Sequence, residues 1–171
     1  GQMPREALAG GADIVVVSSP PVAHEDMVIG ALEAGAHVLV EKPFALEAGS
    51  AHRMRDAAIA AGKHLLIGFG WPAAPIFALA RALVEAGEVG SIEHMIFHLA
   101  VNTRALLSGS TDGGWGGNAA SDTTTYTDPR ISAGGSVAVS MSHQLGLIEW
   151  LTNNEIVAVQ ASTFPVGAPI D

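Results

Sequence analysis

The chain has 171 residues, a net charge of −9 and no cysteine, which excludes disulfides, thiolate nucleophiles and cysteine-held zinc. Its eight Lys+Arg form no basic patch, so a nucleic-acid partner is not expected. Hydrophobic residues make up 49% and charged residues 15%; that composition can bury a core, yet no apolar run reaches the roughly 18 residues that suggest a membrane span.

In chain order, residues 1–11 read as a helix tail closing on Gly10-Gly11. Asp13-Ile14-Val15-Val16-Val17-Ser18 is a continuous β-branched run, the pattern of a parallel strand buried on both faces. Ser18-Ser19-Pro20-Pro21 stops it. From Ala23 to Ala34 the apolar positions follow helical spacing, and Gly35 supplies the stop. His37-Val38-Leu39-Val40 predicts a second buried strand, ended by Glu41-Lys42-Pro43. A helix fits Glu47 to Ala61, with Gly62 after it, and His64 to Ile67 predicts a third strand. This alternation implies parallel crossovers.

A helix over Ala74 to Ala86 follows. The pattern then changes near 87–92: Met95, Phe97, Leu99 and Val101 alternate, as in a half-exposed strand of an antiparallel sheet. Residues 102–135, rich in Gly, Ser, Thr, Asn and Asp, predict a long irregular segment, usually functional when inside a compact protein. A helix is expected over Ser136 to Leu151 and a further strand over Glu155 to Thr163. The expected division is 1–90 as the later part of one domain and 91–171 as the beginning of a second. Gly1 is not an initiator Met, so the expectation is a piece of a longer protein. No signal peptide is visible, and a cytoplasmic location is expected.

The most informative segment is Val38 to Pro43. It delivers Glu41 and Lys42 to the carboxyl end of a strand, where open α/β sheets place their ligands. Pro43 favours an extended Lys42, and a partly desolvated lysine there can exchange a proton with a substrate hydroxyl. The Ser18–His24 turn is a surface on which a cofactor can lie. His143 sits on an expected helix and is suited to proton transfer. Tyr126, the single tyrosine, is a pocket candidate beside Asp128. On spacing alone each has a plain structural reading: a solvated lysine, a connecting loop, a packed histidine, a ring that anchors a loop. His94 and His98 are four apart, a poor chelating spacing on a strand, so no metal site is expected. No Gly-x-Ser-x-Gly elbow supports a hydrolase.

Five segments in order resemble the glucose-fructose oxidoreductase / inositol dehydrogenase family (Gfo/Idh/MocA). They are Asp13 to Pro20 with His24; Ala31 to Pro43 with its Glu-Lys-Pro signature; Gly62 to Phe69; Glu85 to Ile92; and Asp128-Pro129, Gly134-Gly135 and His143. The resemblance implies a Rossmann domain followed by an α/β domain with an open, mostly antiparallel sheet. The fold class expected is therefore α/β then α+β. It implies NAD or NADP, a sugar, cyclitol or related polyol as substrate, and a homo-oligomer. By that likeness Ser18, Pro20, His24, Glu41, Lys42 and Pro43 serve the cofactor, Tyr126, Asp128 and His143 the substrate, and Lys42 and His143 the chemistry.

Three departures stand out. Val139 occupies the place, four before His143, where the family often has Asp. Pro21 stands where Asn is common. The glycine-rich Gly-x-Gly-x-x-Gly turn and the ribose-reading acid are absent, and are expected upstream. The chain by itself is therefore expected to bind dinucleotide poorly and to be inactive. Val139 also leaves open a non-catalytic dinucleotide sensor on the same fold.

Overall fold

The computed structural model describes residues 11–100 and 124–162, apart from 134 and 136. Three short strands, β1 (Ile14–Val17), β2 (His37–Val40) and β3 (Leu65–Ile67), form one parallel sheet in the order β1-β2-β3. Two helices make the crossovers, α1 (His24–Glu33) and α2 (Ala48–Ala61). Gly62 closes α2 in the left-handed conformation, φ 62°, which glycine adopts without a Cβ penalty. After β3 come α3 (Pro75–Glu85) and α4 (Ser142–Thr152), which pack together. Expected and observed bounds of these elements agree to within two residues up to α3.

The register sets the core. Val15 pairs with Val38, Val17 with Val40 and Val40 with Ile67, so one face of the sheet carries Val17, Val38 and Val40. Val28, Ala31 and Leu32 of α1 and Met54 and Ala58 of α2 pack on that face and seal it. At about 25 cal/mol per Å² of apolar surface removed from water, these aliphatic contacts are the main local driving force.

The opposite face differs from the expectation of burial on both sides. Ile14, Val16 and Leu66 are each more than 60% exposed. Both crossover helices lie on the first face, and α3 pairs with α4 instead of returning to the sheet.

The strands expected over 93–101 and 155–163 do not form within the described residues. The alternation is real: Ile96 is 81% exposed, Phe97 and Leu99 less than half that. A strand nevertheless needs a hydrogen-bonded neighbour, and neither 93–100 nor 155–162 has one here. Gly10, Val101, Gly134, Ser136, Thr163 and most of the expected irregular segment fall outside the described residues. The helix expected from 136 begins as a π-helical turn, Val137–Met141, and becomes α-helical at Ser142. No helix among the described residues is long and apolar enough to cross a membrane.

Candidate functional site

The carboxyl ends of all three strands open toward one cavity of about 570 Å³. One wall comes from the sheet: Ser18, Ser19, Pro20 and Pro21 after β1, and Glu41, Lys42 and Pro43 after β2. The other comes from later in the chain: Trp71, Leu99, Thr125, Tyr126, Ser132, Val139, Ser140 and His143. A second hollow, of about 590 Å³, lies along α2 and β3. Its lining is mainly apolar and holds none of the candidate residues, so the first cavity is the candidate site.

The sheet wall is fixed by main-chain bonds. Glu41 N–H donates to the Val17 carbonyl at 2.9 Å, and Gly68 N–H to the Val40 carbonyl at 2.8 Å. These bonds hold the exits of β1, β2 and β3 side by side. A cis peptide joins Lys42 to Pro43. Beneath the wall lies His24, fully buried, with Nε2 2.8 Å from the Ser19 carbonyl and Nδ1 3.1 Å from the Phe44 carbonyl. His24 thus braces the two loops from below and does not line the cavity.

Lys42 crosses between the walls. Its Nζ donates to the Val139 carbonyl at 2.9 Å. Burial pushes its ammonium down from the ordinary 10.5, and the Glu41 carboxylate pulls it partly back. The Glu41 carboxylate itself is turned to its own chain, accepting from Lys42 N–H at 3.3 Å.

His143 is seated by rings. Its imidazole stacks on Trp71, centroids 5.3 Å apart and planes 8° off parallel, and meets the edge of Phe69 at 6.1 Å. Phe77 also stacks on Trp71, with centroids 5.8 Å apart. Burial, reinforced by the nearby Lys42 charge and opposed by Glu41, holds His143 below its usual 6.5. Its Nδ1 is buried and has no hydrogen-bond partner among the described residues.

Tyr126 lines the cavity from the one-turn helix Thr124–Thr127. Asp128 does not: it caps the next turn, Pro129–Ser132, accepting from Arg130 N–H at 2.9 Å and pairing with its guanidinium. Those contacts pull its carboxyl down to about 2. Of the sequence candidates, Ser18, Pro20, Glu41, Lys42, Pro43, Tyr126 and His143 therefore converge, while His24 and Asp128 stand behind the walls.

Trp71 went unnoticed in the sequence. The signal was available, since Trp71 lies in the segment that follows the end of β3, and ligand loops of open α/β sheets come from strand ends. The Val139 carbonyl had no signal, because a main-chain acceptor is blind to residue type.

A dinucleotide fits the sheet wall on two observations. The Ser18–Pro21 loop at the β1 exit is lined by small and rigid residues, and Ser19 Oγ is buried there without a partner among the described residues. Such a hydroxyl is a donor waiting for an acceptor.

Comparison with known proteins agrees. Residues 3–69 match a family described as an oxidoreductase family with an NAD-binding Rossmann fold. An inositol 2-dehydrogenase from Pseudomonas fluorescens (strain SBW25) is 30% identical over 154 residues, which are 90% of this chain and 39% of that protein. The crystal structure of an inositol dehydrogenase homolog from Azotobacter vinelandii, complexed with NAD+, is similar with a TM-score of 0.65 at 27% identity. That match covers 82% of this chain and 34% of the other. An oxidoreductase domain protein from Kribbella flavida gives a TM-score of 0.64 at 26% identity, covering 88% of this chain and 38% of the other. The chain thus spans about two fifths of the length of the curated relatives it matches.

Proposed function

Because the chain belongs to the NAD-binding Gfo/Idh/MocA oxidoreductase family, we propose that the protein oxidises a CH–OH group of a cyclitol, sugar or related polyol with NAD or NADP. The bound cofactor would accept a hydride, and this chain's residues would supply orientation and proton handling.

One observation carries the reading. Lys42 and His143, 101 positions apart in the sequence, face a single cavity at the carboxyl ends of the parallel strands. Ser18, Ser19, Pro20, Glu41 and Pro43 would hold the cofactor on the sheet wall, and His24 would keep that wall in place. Tyr126 and His143 would meet the substrate on the opposite wall. Asp128 would act one step back, by ordering the turn after Tyr126. Lys42, whose free amine is favoured by burial, would take the hydroxyl proton or stabilise the alkoxide as it forms. Residues 1–90 would be the later part of the dinucleotide domain and 91–171 the start of a substrate and assembly domain. A homo-oligomer is the assembly we propose for the intact protein.

Inositol heads the substrate classes to try, on the likeness to inositol 2-dehydrogenases. The test is hydride transfer by the intact protein to NAD or NADP across a panel of inositols, aldoses and alditols. Reduced cofactor formed with at least one cyclitol or sugar is expected. Dinucleotide binding with no turnover across the whole panel would favour a sensor instead.

A further inference from the structure

The two candidate groups of the cavity are not equivalent, and the difference lies in one buried nitrogen. A neutral imidazole carries one N–H and one lone pair, and its tautomer follows from what each nitrogen meets. Nδ1 of His143 is buried and has no hydrogen-bond partner among the described residues. An N–H there would be an orphaned buried donor, which folded proteins avoid. A lone pair there costs desolvation too, yet it leaves the hydrogen on the nitrogen that can reach a cavity ligand.

The usual acceptors for an Nδ1–H are a carboxylate or a main-chain carbonyl. The side chain four residues earlier is that of Val139, which cannot accept. The Val139 carbonyl is already occupied by Lys42 Nζ at 2.9 Å. The ring faces are also taken, one by Trp71 and an edge contact by Phe69. A stack on an aromatic face would favour an imidazolium, but that form would bury the same orphaned donor and place a second positive charge near Lys42.

We infer that His143 is a neutral hydrogen-bond donor, with its proton on Nε2, and that it holds the reacting oxygen while Lys42 takes the proton. The inference rests on the reading above that a polyol occupies this cavity. With Nε2 protonated, the lone pair of His143 points into the buried side and cannot receive a proton from a ligand. Among the other described residues lining the cavity, the Glu41 carboxylate is turned back onto its own chain and Tyr126 offers a phenol O–H that can donate to a ligand. Lys42 remains. As a free amine it has two hydrogens and a lone pair, so one N–H stays on the Val139 carbonyl while the lone pair is available. The balance is complete: the carbinol C–H leaves as hydride to the nicotinamide, the O–H proton goes to Lys42 Nζ, and the oxygen becomes a carbonyl that accepts from His143 Nε2–H. Trp71 is the positioning residue that sets the plane of that donor.

The inference is tested first without turnover. In the wild-type protein carrying ¹⁵N-labelled histidine, long-range ¹H–¹⁵N spectra tell the two tautomers apart, and His143→Gln identifies the signal. An Nε2–H pattern at neutral pH is expected; an Nδ1–H pattern, or a charged ring, overturns the assignment. Activity gives the second arm. His143→Gln keeps an N–H donor near the Nε2 position and cannot act as a base, so it should stay within about ten-fold of wild type. His143→Ala should lose roughly 100-fold, the scale of one lost donor at a developing oxyanion. Equal losses in Gln and Ala would overturn the donor role. A wild-type protein that turns over no polyol would sink the proposed function, and the tautomer would still be decided by the spectra.

Discussion

The two walls of the cavity are built by different physics. The sheet wall is local: each of its loops leaves a strand whose neighbours are fixed by parallel main-chain bonds, from Val17 to Glu41 and from Val40 to Gly68. The facing wall is assembled from residues 71, 99, 125–126, 132 and 139–143, and ring stacking of His143, Trp71 and Phe77 does the ordering. Among the described residues, the hydrogen bond from Lys42 Nζ to the Val139 carbonyl ties a catalytic candidate of one wall to the other. His24 apart, which braces the two loops from below, backbone geometry makes the first wall insensitive to side-chain changes outside the cavity. The second wall depends on individual rings, so small changes there should reach the chemistry.

Substitutions should expose that contrast in graded order. Lys42→Ala removes the group that joins the walls and should lower kcat by about 1,000-fold, within the range of a lost general base. Dinucleotide affinity, measured by titration, should change by less than about three-fold, because the loops around Lys42 are held by main-chain bonds.

Trp71→Ala strips the stack from His143 and should cost about ten-fold in kcat with a smaller change in KM, as expected for a loss of orientation in the transition state. Trp71→Phe keeps a ring at that place and should recover most of it. Equal damage from Phe and Ala would mean that the indole acts by something other than stacking.

The pH profile separates the walls without mutation. A base must be deprotonated to work, and burial lowers Lys42 from 10.5. The rate of alcohol oxidation, as kcat/KM, should therefore rise with pH through an ionisation below the ordinary lysine value, and that limb should vanish in Lys42→Ala. His143, held below 6.5 by burial and by Lys42, should add no limb above neutrality.

The smallest effect is expected at Gly146. A Cβ there would come within 3.2 Å of the Phe69 ring, which must give by a few tenths of an ångström. Gly146→Ala should lower the melting temperature by a few degrees at most and change kcat by about two-fold, through the Phe69 edge on His143. An equal substitution on the sheet wall side, such as Ser18→Ala on its exposed loop, should leave the melting temperature unchanged.

The same contrast explains what was legible in the sequence. The β-branched runs at 14–17 and 37–40 and the glycines after each helix dictate local conformation, so β1 to α3 fell where their patterns predict. The Glu41-Lys42-Pro43 exit could be placed because a strand end is a position in a chain. The facing wall is a set of meetings between distant residues. Nothing in the local pattern of Trp71 says that it will stack on His143, and the π-helical turn at 137–141 has no period that separates it from the α-helix after it. Sheet pairing failed for a related reason. The alternation at 95–99 is that of a strand, but alternation does not supply a neighbour.

The central claim is that the Lys42 amine removes the substrate's proton where the two walls meet, and chemical rescue addresses it most directly. Lys42→Ala protein, saturated with NAD and a turned-over polyol, is assayed with added methylamine or ethylamine. The account predicts that the rate recovers in proportion to the concentration of free amine, and that amines too bulky for the vacated space do not restore it. A variant with full residual turnover, or one whose rate does not respond to any small amine while dinucleotide remains bound, would contradict the assignment.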